Sequence, residues 1–315
     1  MPKVLFLFLD GVGLGGDDPR RNPFAANSMP KLEQLLGGRR LLAGSAPYVG
    51  ELATLLAAEA RLGVEGKPQS ATGQAVLLTG RNVPAEIGKH YGPKPDAAIA
   101  AILREDNLFT QVVRRGGSAA LLNAYPPRYF DSIRRGHRLY SAIPLAVTAA
   151  GLMLMTAQDL QSGRALSADF TGAGWAAQPG FPPAPVYTPQ EAGALLARLS
   201  TQYDLAWFDY WPIDYLGHRG TAEEAADMLG ALDGVLGSLT SAWARRPDLV
   251  VITSDHGNVE DLGARGHTSN PVPVLLIGPA HVRQRFAARI TDLTSIAEAV
   301  LEAIFSPAGG HDDLA

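Results

Sequence analysis

The strongest constraint on the fold is a series of short, continuous apolar runs that each end at polar or glycine residues. Runs of this kind are typical of strands buried on both faces of a parallel sheet. Helical patterns lie between them, so strands alternate with helices along the chain. This order predicts an α/β fold with a doubly wound, mainly parallel sheet. The predicted strands are Lys3 to Leu9, Ser118 to Asn123, Leu205 to Tyr210 and Leu249 to Thr253, with Pro273 to Ile277 as a fifth candidate.

One long segment, residues 83–188, differs in composition from the rest of the 315-residue chain because it carries much of the proline, glycine, arginine and tyrosine. Gly92-Pro93-Lys94-Pro95 and Tyr125-Pro126-Pro127-Arg128 are examples. Such clusters interrupt helices and strands. We therefore predict that residues 1–82 and 189–315 form the core. Residues 83–188 would form a smaller, inserted α+β cap, with each boundary placed to within about ten residues.

Composition excludes several classes of partner. A formal net charge of −4 and a pI near 6.0 give no whole-chain field that attracts nucleic acid or an anionic membrane. The apolar run Val4 to Leu9 is too short for a signal peptide or a membrane span. The chain contains no cysteine, which excludes disulfides and thiolate metal ligands. These features predict a cytoplasmic protein that binds neither nucleic acid nor membrane.

Polar side chains that can bind a metal follow three of the predicted strands. Asp10 comes directly after the first, Asp214 and His218 follow the third, and Asp255 and His256 follow the fourth, with His267 in a later loop. In open α/β sheets, ligands bind beyond the carboxyl ends of the strands. Carboxylates and imidazoles suit zinc or manganese. Each pair taken alone is also compatible with a simple capped turn.

A second candidate site lies in the turn from Gln69 to Gln74, which leads into a short helical pattern. Thr72 would lie near the N-terminus of that helix, where free backbone N–H groups and the helix dipole favour an anion. The alternative interpretation is an ordinary N-cap, since serine and threonine cap helices routinely.

Together, these segments resemble the alkaline phosphatase superfamily, in particular its branch with cofactor-independent phosphoglycerate mutase and phosphopentomutase. The matching pieces occur in the family's order. They are Leu9-Asp10-Gly11-Val12-Gly13, Ser70-Ala71-Thr72-Gly73-Gln74, Asp214 with His218, Thr253-Ser254-Asp255-His256-Gly257-Asn258 and Gly266-His267-Thr268. The resemblance implies two divalent cations, Zn²⁺ or Mn²⁺. Asp10, Thr72, Asp255 and His256 would surround one cation, and Asp214, His218 and His267 would hold the other.

The resemblance further implies a phosphoryl-transfer enzyme that acts on a small phosphate monoester. Thr72 would be the nucleophile and would form a phosphothreonine intermediate, because metal coordination lowers the pKa of a hydroxyl. Transfer to water gives a phosphatase, and transfer to a substrate hydroxyl gives a phosphomutase. The alternatives are a phosphodiesterase or nucleotide pyrophosphatase with the same site, and a metal-binding pseudoenzyme without catalysis.

The segment 83–188 offers candidates for substrate binding. Arg128 follows a stiff Tyr-Pro-Pro turn and could bind a phosphate or carboxylate through forked hydrogen bonds. Lys89 and His90 could form a substrate strip or simply a polar loop. Four aromatic residues around the third strand are assigned to packing, because the chain lacks the basic surplus that nucleic acid requires. They are Trp207, Phe208, Tyr210 and Trp211.

Overall fold

The computed structural model describes residues 1–243 and 246–306. The described strands are β1 (Val4–Leu9), β2 (Tyr48–Val49), β3 (Ala53–Ala58), β4 (Ala119–Leu121), β5 (Ala124–Tyr125), β6 (Met155–Thr156), β7 (Leu205–Tyr210), β8 (Leu249–Thr253) and β9 (Val272–Ile277). The described helices are α1 (Pro23–Ala26), α2 (Pro30–Leu35), α3 (Ser70–Thr79), α4 (Val83–Ile87), α5 (Ala97–Glu105), α6 (Leu108–Arg114), α7 (Pro127–Arg134), α8 (Ala142–Ala149), α9 (Ala157–Gln161), α10 (Ala173–Ala176), α11 (Pro189–Ser200), α12 (Pro212–Arg219), α13 (Ala222–Trp243), α14 (Ala280–Ala287) and α15 (Ile296–Phe305).

The main sheet has seven strands in the order β2-β3-β9-β8-β1-β7-β4. The strands β3, β8, β1, β7 and β4 run in one direction, and β2 and β9 run in the other. The predicted α/β class with a mainly parallel sheet is confirmed. All five predicted strands are present, and β7 and β8 have the predicted bounds.

Both faces of the sheet are covered, which explains the continuous apolar runs. Phe6 and Phe8 of β1 pack on one face in a cluster with α3, α5, α8 and α15. Leu5 and Leu7 of the same strand pack on the other face against α11 and α13. Because side chains alternate along a strand, every residue of β1 is buried and the strand needs no polar face.

Two short strands near one edge of the sheet, β2 and β3, were not expected from the sequence. They form an antiparallel pair, and β3 pairs with β9. The sequence of β3, Ala-Thr-Leu-Leu-Ala-Ala, is rich in residues with high helix propensity. Pairing with β9 therefore overrides a local preference.

The predicted cap was drawn too widely. Strand β4 lies inside residues 83–188, yet it pairs with β7 as an edge strand of the main sheet. Helices α5, α6 and α8 also lie inside that range and pack on the main core. A separate small sheet, β5 with β6, has its own apolar cluster around Leu160 and Trp175. The distinct part is thus limited to the region of β5, β6, α9 and α10.

None of the helices within residues 1–243 and 246–306 combines the length and the apolar character that a membrane crossing requires.

The stacked pair of Phe6 and Trp207 gives a test of the core. Phe6 lies on β1 and Trp207 on the neighbouring β7. Their ring centroids are 3.8 Å apart, and both side chains are fully buried. Phe6→Ala should lower the free energy of unfolding by about 3–5 kcal/mol, because it removes buried contacts and leaves a cavity. Urea unfolding measures this loss. Leu139→Ala, at a side chain that is 65% exposed, should change stability by less than about 0.5 kcal/mol.

Candidate metal centre

Three carboxylates lie together at the carboxyl ends of three adjacent strands. Asp10 follows β1, Asp209 is the second-to-last residue of β7, and Asp255 follows β8. Phe8 of β1 is in register with both Asp209 and Thr253, so the three strands end at the same level. All three carboxylates are buried.

The first group of candidate ligands consists of Asp10, Asp255 and His256. Their ligand atoms all lie within 4.8 Å of one another. His256 Nε2 is 3.5 Å from Asp10 Oδ1 and 3.6 Å from Asp255 Oδ2. Neither of these two buried oxygens has a hydrogen-bond partner among the described residues. Unpartnered buried carboxylate oxygens are costly, and a cation between them would satisfy both.

The second group consists of Asp214, His218 and His267. Asp214 and His218 lie four residues apart on α12, which places both side chains on one face of the helix. His218 Nε2 is 3.4 Å from Asp214 Oδ2 and 3.3 Å from His267 Nε2. Two imidazole nitrogens and a carboxylate thus converge, as three protein ligands of a zinc-type site do.

The orientation of two histidines favours metal binding. His256 Nδ1 lies 3.3 Å from the carbonyl oxygen of Gly257, and His267 Nδ1 lies 2.8 Å from that of Pro68. A carbonyl oxygen only accepts hydrogen bonds, so each Nδ1 carries the proton and each Nε2 presents a lone pair to its group. The two rings stack at 3.7 Å. The two ligand groups are therefore direct neighbours.

The electrostatic environment of the two ligand groups also favours a bound cation. Burial, together with the nearby carboxylates of Asp255 and Asp214, raises the pKa of Asp10 well above its ordinary value. Burial and the Asp214 carboxylate raise the pKa of Asp255 to about 7, and burial and Asp255 raise the pKa of Asp209 to about 8. Burial lowers the pKa of His267 to about 4, which keeps its imidazole neutral. Crowded carboxylates beside neutral imidazoles match the ligand chemistry of a divalent metal.

Two hydroxyl groups of the predicted turn have different surroundings. The Thr72 hydroxyl is fully buried and donates to the backbone carbonyl of Gln69 at 3.0 Å, and it accepts from the N–H of Tyr91 at 3.2 Å. Ser70, two residues earlier, has its Oγ 3.1 Å from His256 Nε2. The role of Thr72 as nucleophile and metal ligand stays a prediction, and these contacts favour Ser70 for that role.

Helix α3 reaches the first group because Gly73 has no side chain. A Cβ at this position would lie 2.8 Å from the Cβ of Asp255 and 2.9 Å from its carbonyl oxygen. Only glycine permits this approach, which sets the N-terminal residue Ser70 beside His256. Ser70 stood within the matched motif, but its spacing from Gly73 alone did not indicate which hydroxyl faces the metal ligands.

A buried carboxylate, Glu260, connects the loops that carry the ligands. It accepts the backbone N–H of Gly13 at 2.9 Å and that of Asn258 at 2.8 Å. It also accepts hydrogen bonds from the Thr268 hydroxyl and from the Asn270 side chain. Gly13 follows Asp10, Asn258 follows His256, and Thr268 follows His267. Glu260 thus joins three ligand-bearing loops.

Three further residues contribute to this region, of which only Asn258 stood within a motif recognised in the sequence, where it was given no role. Asn258 donates its amide to Asp214 Oδ1 at 2.6 Å and orients that carboxylate. Asp209 could have been noticed as a charge inside an apolar strand. Glu260 had no such signal, because a single acidic residue in a loop is ordinarily exposed.

The predicted substrate residues fall in different places. Arg128 lines a cavity of about 710 Å³ that also includes Asn123 and Pro212. Lys89 and His90 do not line this cavity. Lys89 Nζ lies 5.1 Å from the ring centroid of Tyr91, and the ring of His90 lies beside the backbone of residues 61–64. Of these three residues, only Arg128 lines the cavity.

Comparison with known proteins agrees with this fold. Residues 188–307 match the family model described as Metalloenzyme superfamily. Among solved structures, an alkaline phosphatase from the Antarctic bacterium TAB5 has a TM-score of 0.57 at 13% identity, covering 96% of this chain and 98% of that chain. A phosphoglycerate mutase of Leishmania mexicana has a TM-score of 0.51 at 11% identity, covering 98% and 96%. These likenesses show an alkaline-phosphatase-like fold.

Curated sequences give a narrower likeness. The 2,3-bisphosphoglycerate-independent phosphoglycerate mutase of Acetivibrio thermocellus is 35% identical over 99 residues, which is 29% of this chain and 19% of the relative. That of Thermomicrobium roseum is 31% identical over 123 residues, 36% of this chain and 24% of the relative. The matched segments span about a fifth of the length of these relatives. The predicted resemblance to the alkaline phosphatase superfamily and its phosphoglycerate mutase branch is confirmed.

Removing a ligand from the second group should lower metal content. We expect His267→Ala to bind about one divalent ion fewer per chain than the parent, because two ligands rarely retain zinc or manganese. Elemental analysis after equilibrium dialysis against zinc measures the ratio. The exposed His281 provides a matched control, since His281→Ala removes an imidazole that belongs to neither ligand group and should leave the ratio unchanged. Equal metal content in His267→Ala and the parent would contradict the assignment.

Glu260→Gln should weaken metal binding although Glu260 belongs to neither ligand group. The amide keeps the size of the side chain but replaces one acceptor oxygen with a donor, which faces the Gly13 and Asn258 N–H groups or the Thr268 hydroxyl. Loss of such supporting contacts costs about 10 to 100-fold in metal affinity. Calorimetric zinc titration measures it. Asp261→Asn, which removes an exposed ion pair with Arg21, should leave the affinity within about twofold.

Proposed function

We propose that this protein is a metal-dependent phosphoryl-transfer enzyme that uses two divalent cations and Ser70 as its nucleophile. The observation that carries the proposal is the position of Ser70. Its Oγ lies 3.1 Å from His256 Nε2, beside two adjacent groups of metal-type ligands. The likeness to phosphoglycerate mutases and alkaline phosphatases supports the same class of reaction. The substrate class is a small phosphate monoester.

Asp10, Asp255 and His256 would hold one cation, with Ser70 as its fourth protein ligand, and Asp214, His218 and His267 would hold the other. Bound cations, zinc or manganese, would lower the pKa of the serine hydroxyl and offset the charge of the phosphate. Ser70 is the first residue of α3, so the positive end of the helix dipole also faces an anion placed there. Asn258 keeps the Asp214 carboxylate in its orientation through the amide hydrogen bond.

In the proposed step, Ser70 Oγ attacks the phosphorus in line with the ester oxygen. A bond forms between Oγ and phosphorus, the bond between phosphorus and the ester oxygen breaks, and the alcohol leaves with a proton from solvent. The serine proton passes to solvent. A phosphoserine therefore takes the place of the phosphothreonine that the sequence suggested. Transfer of the phosphoryl group to water completes a phosphatase cycle, and transfer to a hydroxyl of the retained alcohol completes a mutase cycle.

Arg128 is the remaining proposed substrate contact from the sequence analysis. It lines the cavity beside α12 and its guanidinium lies 4.1 Å from the ring centroid of Phe181. Stacking on an aromatic face fixes the plane of the guanidinium and leaves its N–H edges free for an anion. The cytoplasmic location stays a prediction from composition.

Ser70→Ala should abolish turnover of an aryl phosphate while the protein keeps its metals. We expect a loss of more than about a thousandfold in kcat/KM, because the variant lacks the attacking oxygen. Thr72→Val removes the other hydroxyl at nearly constant volume and should retain activity within about tenfold. Activity is measured with zinc or manganese added, and metal content is measured in parallel.

The comparison of two substrates separates the alternatives. Faster turnover of an aryl phosphodiester than of the monoester would replace the monoesterase proposal with a phosphodiesterase. Two bound metals and no turnover of either would favour a metal-binding protein without this activity. Loss of activity in Thr72→Val with full activity in Ser70→Ala would return the role of nucleophile to Thr72.

A further inference from the structure

The cavity that Arg128 lines is connected to two elements that carry residues of the candidate metal centre. Asn123, in its wall, exchanges two hydrogen bonds with the backbone of Asp209, each 2.8 Å long. Trp211 and Pro212, also in its wall, lead into α12, which carries Asp214. The cavity is therefore the described space in which the organic part of a substrate is best placed. Its volume of about 710 Å³ lies in the range of pockets that enclose a ligand larger than a phosphate group.

Five of the side chains that line this cavity are aromatic. Tyr125 and Tyr129 pack at 4.5 Å between ring centroids, and Trp175 and Phe181 pack edge to face at 4.8 Å. Trp175 is held in place by a hydrogen bond from its indole N–H to the carbonyl of Pro182. The rings are thus fixed in position by their own contacts, as in a preorganised binding wall.

Trp211 differs from the other aromatic residues near β7. All four were predicted to serve in packing, and Trp207, Phe208 and Tyr210 are indeed buried. Trp211 is instead 51% exposed and lines the cavity. An exposed indole provides a broad apolar face for a planar ring. Trp211 directly precedes α12, in whose first turn Asp214 of the second ligand group lies.

Two guanidinium groups also face the cavity. Arg138 lies 4.8 Å from the ring centroid of Tyr129, as Arg128 does over Phe181. Within residues 1–243 and 246–306, neither arginine forms a salt bridge with a carboxylate. Stacked arginines with free N–H edges bind phosphate or carboxylate oxygens.

We infer that the cavity binds the organic part of a phosphate ester that carries a planar heteroaromatic ring, a nucleoside phosphate in chemical class. The ring would stack on Trp211 and the neighbouring aromatic wall, and Arg128 and Arg138 would donate hydrogen bonds to the sugar oxygens of the same molecule. This inference rests on the proposed function for the position of the phosphate. It differs from that proposal by naming the ring as the feature that the protein selects.

The test compares two ligands that share a phosphate and a ribose. Adenosine 5′-monophosphate carries the ring and ribose 5-phosphate does not. Binding is measured by calorimetry on zinc-loaded Ser70→Ala, which cannot turn the ligands over. We expect the nucleotide to bind about 10 to 100-fold more tightly, the range for stacking one base on an aromatic side chain. Binding within twofold, or no binding of the nucleotide at millimolar concentration, overturns the inference.

Variants at Trp211 and Arg138 in the same Ser70→Ala background test the stacking contact and the arginine contact separately. Trp211→Ala should reduce the advantage of the nucleotide to within about threefold and leave the affinity for ribose 5-phosphate unchanged. Trp211→Phe keeps an aromatic face and should keep most of the advantage. Arg138→Gln should weaken both ligands by about tenfold. Equal weakening of both ligands by Trp211→Ala would overturn the stacking role.

Failure of this inference is distinguishable from failure of the proposed function. Equal binding of the two ligands together with Ser70-dependent turnover of aryl phosphate would leave the function standing and remove the preference for a ring. Preferential binding of the nucleotide without turnover of any phosphate ester by the parent protein would support the preference for a ring and contradict the proposed function.

Discussion

The structure depends on placing like charges close together in its interior. Asp10, Asp209 and Asp255 lie at the ends of three adjacent strands, and burial together with neighbouring carboxylates raises the pKa of each. Isolated buried carboxylates are strongly unfavourable. The rigid apolar strands β1, β7 and β8 hold these groups in place, because their side chains are packed on both faces. A well-packed sheet therefore supports a site that is electrostatically unfavourable without cations.

The sequence allowed prediction of the features that follow from strand ends. A buried parallel strand is recognisable from its apolar run, and the ligand lies at the next polar residue. For this reason Asp10 and Asp255 could be placed together before any coordinates were considered. His218 and His267 were candidates for the same reason, and the family resemblance assigned them to a second cation. The structure places their Nε2 atoms 3.3 Å apart.

Features that depend on packing could not be predicted in this way. The close contact of Gly73 with Asp255 and the hydrogen bond of Tyr91 to the Thr72 hydroxyl favour Ser70 over Thr72 in the proposed role, and both are tertiary contacts. A strand was predicted at Ser118 to Asn123, but only the pairing of β4 with β7 shows that it belongs to the main sheet and not to the cap. Local propensity carries no information on such long-range contacts.

The hydrogen bonds of Glu260 help to hold the three ligand-bearing loops in position relative to one another. One side chain joins the loops after β1 and β8 and the loop of His267, so their relative positions are fixed by the protein chain itself. In small zinc domains, by contrast, binding of the ion and folding of the chain are a single event. Here, hydrogen bonds to one carboxylate also hold the ligand loops together, so the arrangement of these loops does not depend on a cation alone.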